Sequence, residues 1–274
     1  ETNDQGKVVS ADDNWKIAER TGEPQAPQPG CNVISTLDIK LQEAVERALA
    51  DGVGALKSED TQGAAAVVID VNDGGVLASA SYPTYDLSTF LQNYTELAND
   101  PLNPLFNRAT QGVYPPGSTF KMVTAIAGLQ EGVITPTDEI LDTGRYTYYK
   151  DYQPQCWYYR QYGRTHGKEN VSEAIRDSCN IFFYDVGRRL GISLLDEYAQ
   201  KFGLGEYTGI EVYESKGHVA GPGYTESLGQ KWYDGNTLPA AIGQENNQFT
   251  PIQLANYVAT LANGGTHYSA HLLK

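Results

Sequence analysis

The sequence is short of positive charge, cysteine and long apolar runs, and each shortage excludes something. Twenty Lys and Arg face thirty-four Asp and Glu, a formal net charge of -14 at pH 7, so an extended polyphosphate is repelled on average and nucleic acid is not an expected partner. No apolar run reaches the roughly 18 residues that span a bilayer, and no basic start precedes an apolar stretch of the signal-peptide kind. The three cysteines, Cys31, Cys156 and Cys179, lack the spacing of a zinc site and leave room for one disulfide at most. They read as small buried or half-buried thiols. No metal and no cofactor are expected. The chain opens on Glu1 rather than Met, which reads as a cut piece from which any targeting segment is absent.

What is present is ordinary globular material: 274 residues, 40% hydrophobic and 20% charged, enough for a substantial core. Residues 1 to 30 are polar and end in closely spaced prolines, Pro24, Pro27 and Pro29, which oppose a helix and read as an extended linker or the end of an upstream module. From Val33 the pattern becomes regular. Asp38 caps an expected helix with Leu41, Val45, Ala48 and Leu49 on one face, closing near Gly52. Ala64 to Asp70 and Val76 to Ser81 read as two strands joined by a turn at Asn72-Asp73-Gly74-Gly75. A helix followed by an antiparallel hairpin suggests a sheet with helices packed on it. Further helices are expected from Ser118 to near Gly132, from Val171 to Leu190, and from Thr250-Pro251 to the Asn263-Gly264 stop. Residues 265 to 274 read as the beginning of a strand.

The chemistry concentrates at Tyr114-Pro115-Pro116-Gly117-Ser118-Thr119-Phe120-Lys121, a Ser-x-x-Lys at a helix start. Spacing of three places Ser118 and Lys121 on one face within hydrogen-bond reach. A serine hydroxyl is a poor nucleophile until a base takes its proton, and a neutral lysine can do so. That lysine must first fall from about 10.4 towards 7–8. The helix N-terminus supplies only ~0.3–1 kcal/mol of that change, so burial and other cations must supply the rest. Alone, the pattern matches any capping serine with a solvated lysine one turn on. Downstream, Ser178-Cys179-Asn180 adds a hydroxyl and an amide two residues apart that can converge on Lys121.

These two blocks resemble the first two motifs of penicillin-binding proteins and serine β-lactamases. Ser35-Thr36-Leu37-Asp38-Ile39-Lys40-Leu41-Gln42, Arg108-Ala109, His166-Gly167, and Gly243-Gln244 ahead of Thr250-Pro251-Ile252-Gln253-Leu254-Ala255 narrow the likeness to the transpeptidase domain of class B penicillin-binding proteins. The likeness runs in order through roughly residues 30 to 270. It implies an α+β fold, an antiparallel sheet flanked by helices with an all-helical subdomain, whose C-terminal strands are missing from this chain. It divides the chain into a linker or pedestal end at 1–30 and an incomplete transpeptidase domain at 31–274. It implies a D,D-transpeptidase that cross-links peptidoglycan stem peptides, is acylated by β-lactams and works with the cell-wall synthesis machinery. The parent would sit on the outer face of the bacterial cytoplasmic membrane, held by an N-terminal anchor absent from this chain. In that scheme Ser118 attacks the penultimate D-Ala carbonyl, Lys121 takes its proton, Ser178 shuttles a proton to the leaving amine, and Asn180 orients substrate and lysine. The Ser118 N–H would serve as one oxyanion donor. A serine β-lactamase, or a β-lactam sensor or scaffold without turnover, are the competing readings.

Other residues have plainer expectations. Seven tyrosines and Trp157 between residues 144 and 162 read as a strand pair with aromatic cross-strand contacts, or as an aromatic wall of the groove. His166 reads as a turn histidine with local hydrogen bonds, Cys179 as a small packing side chain, and Glu214 as a solvated loop charge. The Lys-(Ser/Thr)-Gly motif that completes the family pattern is missing; Lys216-Gly217-His218 lacks the hydroxyl and Arg20-Thr21-Gly22 lies upstream. That motif's strand normally supplies the second oxyanion N–H, and losing one such donor costs about 10²–10³ in rate. The isolated 274-residue chain is therefore expected to acylate poorly. Rapid labelling of Ser118 by a fluorescent penicillin would overturn this.

Overall fold

The computed structural model describes residues 9–11, 17–19, 30, 32–56, 58 and 60–274, and the chain forms two units, Glu1–Val33 and Ile34–Lys274. In the first unit, β1 (Val9–Ala11) and β2 (Ile17–Glu19) pair antiparallel with Val9 opposite Glu19. The sequence pattern predicts no strands there. The Pro24 to Pro29 run and Cys31 lie outside the described residues.

The second unit begins with the capped helix that the sequence implies. Asp38 Oδ1 accepts from the N–H groups of Lys40 at 3.0 Å and Leu41 at 3.2 Å, and α1 runs Ile39–Leu56. It passes through Gly52 rather than closing there. A glycine weakens a helix by roughly 1 kcal/mol relative to Ala but ends it only where the backbone turns left-handed. The hairpin forms as expected: β3 (Ala64–Ile69) pairs antiparallel with β4 (Val76–Tyr82), Ala64 opposite Tyr82, with an irregularity between Val68 and Ile69. Val76, Ala78 and Ala80 alternate into the interior, the period-2 pattern of a strand with one buried face. The Gln42 side chain of α1 donates to Ser79 O at 2.9 Å and accepts from Ser79 N at 2.8 Å. Its amide thus satisfies backbone groups of β4 in the way a neighbouring strand would.

The remaining elements are α2 (Phe90–Asn99), α3 (Lys121–Gln130), β5 (Ile140–Asp142), α4 (Trp157–Tyr162), β6 (Gly167–Glu169), α5 (Val171–Arg176), α6 (Asn180–Leu190), α7 (Ile192–Lys201), α8 (Pro222–Ser227), α9 (Thr237–Ala240) and α10 (Pro251–Ala262). Helices α1 and α10 pack on β4 and β3, while α3, α7 and α9 pack against α6 and α3 also packs on α7. The fold is α+β, with small antiparallel sheets and a helical region that holds most of the core. Phe120, Phe182, Phe183, Leu195, Leu204, Leu238, Phe249 and Tyr257 are all buried there. Helix α10 starts and stops as read: Thr250 and Gln253 form a capping box ahead of Pro251, and Asn263 closes it.

Three further expectations change. The stretch from Val171 to Leu190 is two helices, not one, broken at Asp177-Ser178-Cys179. The tyrosine-rich stretch is not a strand pair; it contains α4, with only an isolated bridge between Arg145 and Gln155. Residues 265 to 274 make single bridges, Gly75 with His271 and Ser35 with Leu273, rather than a strand. Apolar periodicity reports which face is buried but not where a local polar turn interrupts it.

Close packing of α3 on α6 depends on Gly128. A Cβ there would meet Val186 Cγ1 at 2.7 Å and Ile134 Cγ1 at 3.2 Å. Overpacking typically costs 1–3 kcal/mol, against roughly 1 kcal/mol gained in helix propensity. Gly128→Ala is expected to lower stability in urea melts; a stabilised variant would show that α3 and α6 are free to separate.

Candidate active site

Ser118 sits on a braced turn. Gly117–Phe120 forms a 3-10 turn that runs directly into α3, with the Lys121 N–H donating to Ser118 O. The turn is tied on several sides: Gly117 N–H donates to Gly243 O at 2.8 Å, and Tyr114 exchanges backbone hydrogen bonds with Phe249 at 2.9 and 3.0 Å. The buried Tyr257 hydroxyl of α10 donates to Thr119 O at 2.9 Å. Gly243 has φ +73, and a Cβ there would collide with Gly117 O and meet Phe120 Cβ at 2.7 Å; only glycine allows this approach. Ser118 itself is exposed, at the positive end of the turn, where leading N–H groups lack intrahelical partners.

Lys121 points the other way, into the protein. It is 2% exposed, and Nζ donates to Ser178 O at 2.7 Å, Ser178 Oγ at 2.9 Å and Asn180 Oδ1 at 2.7 Å. All three acceptors are neutral. They satisfy the ammonium's hydrogen bonds without cancelling its charge, and burial pulls the lysine down to about 8. A neutral amine keeps two N–H donors and gains a lone pair. Of its three partners only the Ser178 hydroxyl can reverse and donate, so that hydroxyl can relay a proton to or from Lys121.

The break between α5 and α6 makes this contact. Asn170 and Glu173 cap α5 reciprocally; the chain then turns through Ser178 at φ +53, a left-handed conformation uncommon for a non-glycine residue. That turn presents the Ser178 carbonyl and hydroxyl together towards Lys121, and Asn180 opens α6 beside them. The structure thus brings Lys121, Ser178 and Asn180 into direct contact. Ser118 precedes Lys121 by one turn, but its hydroxyl is not among the partners of Nζ, which are the half-buried oxygens of Ser178 and Asn180. Apo geometry of this kind is often looser than that of a reacting complex.

Beside the Ser178 turn lies a cluster that sequence reasoning missed. Asp142, Cys156, His166 and Cys179 each place a donor atom within 4.8 Å of the others. Asp142 Oδ2 lies 2.9 Å from His166 Nδ1 and accepts from His166 N at 3.0 Å, and Cys156 Sγ lies 3.6 Å from the same ring nitrogen. His166 therefore makes a contact 24 residues away in sequence rather than local turn bonds, and Cys179 is part of a polar cluster as well as buried. Both carboxylate oxygens of the neighbouring buried Glu169 lack any hydrogen-bond partner. Burial and the Asp177 side chain push that carboxyl up to about 7. One imidazole, two thiols and a carboxylate make the donor set of a closed four-coordinate zinc site. The ligands come from separate segments, which is why cysteine spacing alone gave no sign of them. Glu214 also differs from its reading: it is buried and accepts from Thr208 N and Oγ1 and from Gly209 N at 3.1, 2.8 and 3.1 Å. These bonds tie down a loop.

An exposed serine, a buried lysine of lowered pKa, a reversible hydroxyl and an amide are groups of the kind that serine acyl transfer uses. The chain belongs to the penicillin binding protein transpeptidase domain family, which matches residues 64–274. It is 37% identical over 286 residues to the peptidoglycan D,D-transpeptidase MrdA of Escherichia coli, covering 100% of this chain and 41% of that protein. It thus spans less than half the length of that relative. Among solved structures, penicillin-binding protein PBP2 of Pseudomonas aeruginosa in complex with WCK 5153 superposes with TM-score 0.79 at 37% identity, over 90% of this chain and 55% of that one. The penicillin G acyl-enzyme complex of penicillin-binding protein A from M. tuberculosis gives TM-score 0.73 at 28% identity, over 88% and 54% of the two chains.

If the four-donor cluster takes zinc, metal binding adds to folding stability. Zinc added to chelator-treated protein is expected to raise Tm by several degrees, and Cys156→Ser to abolish the rise. A Tm indifferent to zinc would mark the cluster as a hydrogen-bonded polar core.

Proposed function

We propose that this chain carries the acyl-transfer centre of a peptidoglycan D,D-transpeptidase, with Ser118 as nucleophile, Lys121 as base, Ser178 as proton relay and Asn180 as the orienting amide. The observation that carries this is the Lys121 ammonium, buried on three neutral oxygens one turn after an exposed serine. Residues 31–274 belong to the transpeptidase domain, and residues 1–30 serve as the linker or pedestal end before it. Among the described residues no helix is long and apolar enough to cross a membrane; the parent protein is anchored on the outer face of the cytoplasmic membrane and works with the cell-wall synthesis machinery.

The chemistry proceeds in two balanced steps. Neutral Lys121 takes the Ser118 hydroxyl proton while Ser118 Oγ bonds to the penultimate D-Ala carbonyl carbon of a stem peptide. The Ser118 N–H stabilises the oxyanion. As the tetrahedral intermediate collapses, the C–N bond to the terminal D-Ala breaks, and its nitrogen receives the proton through Ser178. A second stem peptide then attacks the ester carbon with its amine. A new C–N bond forms, the ester C–O bond breaks, and the amine's proton returns to Ser118 Oγ. A β-lactam enters the same first step, its ring amide opening in place of the peptide bond.

Since Lys121 must be neutral to act, acylation should fall as pH drops below its pKa of about 8 and level off above it. The test is penicillin acylation of the full-length protein between pH 6 and 10, with peptide mapping of the adduct. A tenfold loss per pH unit on the acid limb and an adduct on Ser118 are expected. An adduct on another residue would remove the assignment.

A further inference from the structure

A cavity lined in part by Pro239 and Glu245, residues on either side of Gly243, has no role in the acyl-transfer steps. It encloses about 600 Å³, inside the size range of small-ligand sites. Two distant segments wall it, one from Tyr149 to Tyr152 and the other from Tyr233 to Glu245. Its position follows from bonds already described. Gly117 N–H donates to Gly243 O, and Glu245 follows Gly243 by two residues. On the other side, Tyr152 lies close enough to Tyr184 for its charge to oppose ionisation of that phenol, and Tyr184 stands one turn beyond Asn180 on α6. One wall of the cavity thus continues from the segment that holds the Ser118 turn through Gly243.

Its lining is aromatic and anionic. Tyr149, Tyr152 and Tyr233 supply three rings, and Asp151, Asp234 and Glu245 three carboxylates, against the single cation of Lys150. Asn236 Nδ2 donates to Glu245 Oε1 at 2.8 Å, which fixes that carboxylate in the wall. Cations already favour one of these rings: Lys231 Nζ stands 5.2 Å from the centroid of Tyr233. An alkylammonium gains both charge-assisted hydrogen bonds and a cation–π contact in such a place. An anionic group is repelled there, and a wholly apolar one leaves the carboxylates desolvated without partners.

We propose that this cavity receives the amine-bearing peptide that accepts the acyl group from Ser118, holding its primary ammonium against the carboxylates and tyrosine rings until transfer. The binding rests on the cavity's own chemistry; its use in transfer rests on the function proposed above. To react, the bound ammonium first gives one proton to solvent. The neutral nitrogen then attacks the ester carbon, and its second proton passes to Ser118 Oγ as the C–O bond breaks.

Two probes test it by calorimetry on the 274-residue chain: Nα-acetyl-L-lysine methylamide, whose side-chain amine is free, and the same molecule acetylated on that amine. The free amine is expected to bind at least about tenfold more tightly, equivalent to ~1.4 kcal/mol. The preference should shrink in the Asp234→Asn/Glu245→Gln double variant, with Tm confirming that it folds, and in Tyr233→Leu as an independent variant. Equal affinity for the two probes, no binding of either, or a preference that survives both variants would overturn the proposal. Peptide mapping of penicillin on the full-length protein separates the two ideas. A retained ammonium preference with no adduct on Ser118 sinks the acyl-transfer reading and leaves a cation site; an adduct without the preference does the reverse.

Discussion

The burial of one ammonium group organises this site. Lys121 is 2% exposed, and a charge taken that far from water is costly unless it is bonded on every side. Its three partners are a carbonyl, a hydroxyl and an amide oxygen, with no carboxylate among them. A carboxylate would have stabilised the cation and kept it protonated at neutral pH. Neutral oxygens leave the charge uncancelled, so the lysine titrates near 8, a shift worth about 3 kcal/mol. The same arrangement therefore holds the side chain in place and keeps its basic form accessible.

That arrangement requires local backbone that a regular helix cannot supply. An uninterrupted helix from Val171 to Leu190 would bond the Ser178 carbonyl within itself and leave it no reason to face Lys121. The left-handed Ser178 frees the carbonyl and turns it, with the hydroxyl, towards the lysine. Strain of this sort costs on the order of 1–3 kcal/mol and persists only where the surroundings impose it. Here the backbone bonds that close α5, from Ser178 N to Ile175 O and from Cys179 N to Ala174 O, together with the buried Cys179 and the contact with Lys121, hold it. On the other side Gly243, Phe249 and Tyr257 brace the Ser118 turn from three separate segments, so both halves of the site rest on packed elements.

Around this centre the lining changes character with direction. Towards β5 and β6 lie the buried Asp142, Cys156 and Cys179 with the half-buried His166, and Cys179 directly follows Ser178. Towards the surface lies the cavity of tyrosines and carboxylates. Cys179 stands between Ser178 and Asn180 in sequence and belongs to the donor cluster in space. One tripeptide thus joins two environments of different chemistry.

Much of this was legible in the sequence, because some features are local. Asp38 ahead of α1, the turn between β3 and β4, the Thr250–Gln253 capping box, and the spacing of Ser118 with Lys121 depend on residues within a few positions of each other. Side-chain chemistry and helical or strand periodicity therefore decide them. Tertiary structure alone decided the rest: that Lys121 turns inward to Ser178 and Asn180, that a helix with continuous apolar spacing breaks at Ser178, and that Glu214 is buried. It also decided that His166 reaches Asp142 and that Tyr149 and Glu245 share a cavity. Each depends on groups tens of residues apart meeting in space, where the cost of burying a polar atom, rather than the order of residues, selects its partner.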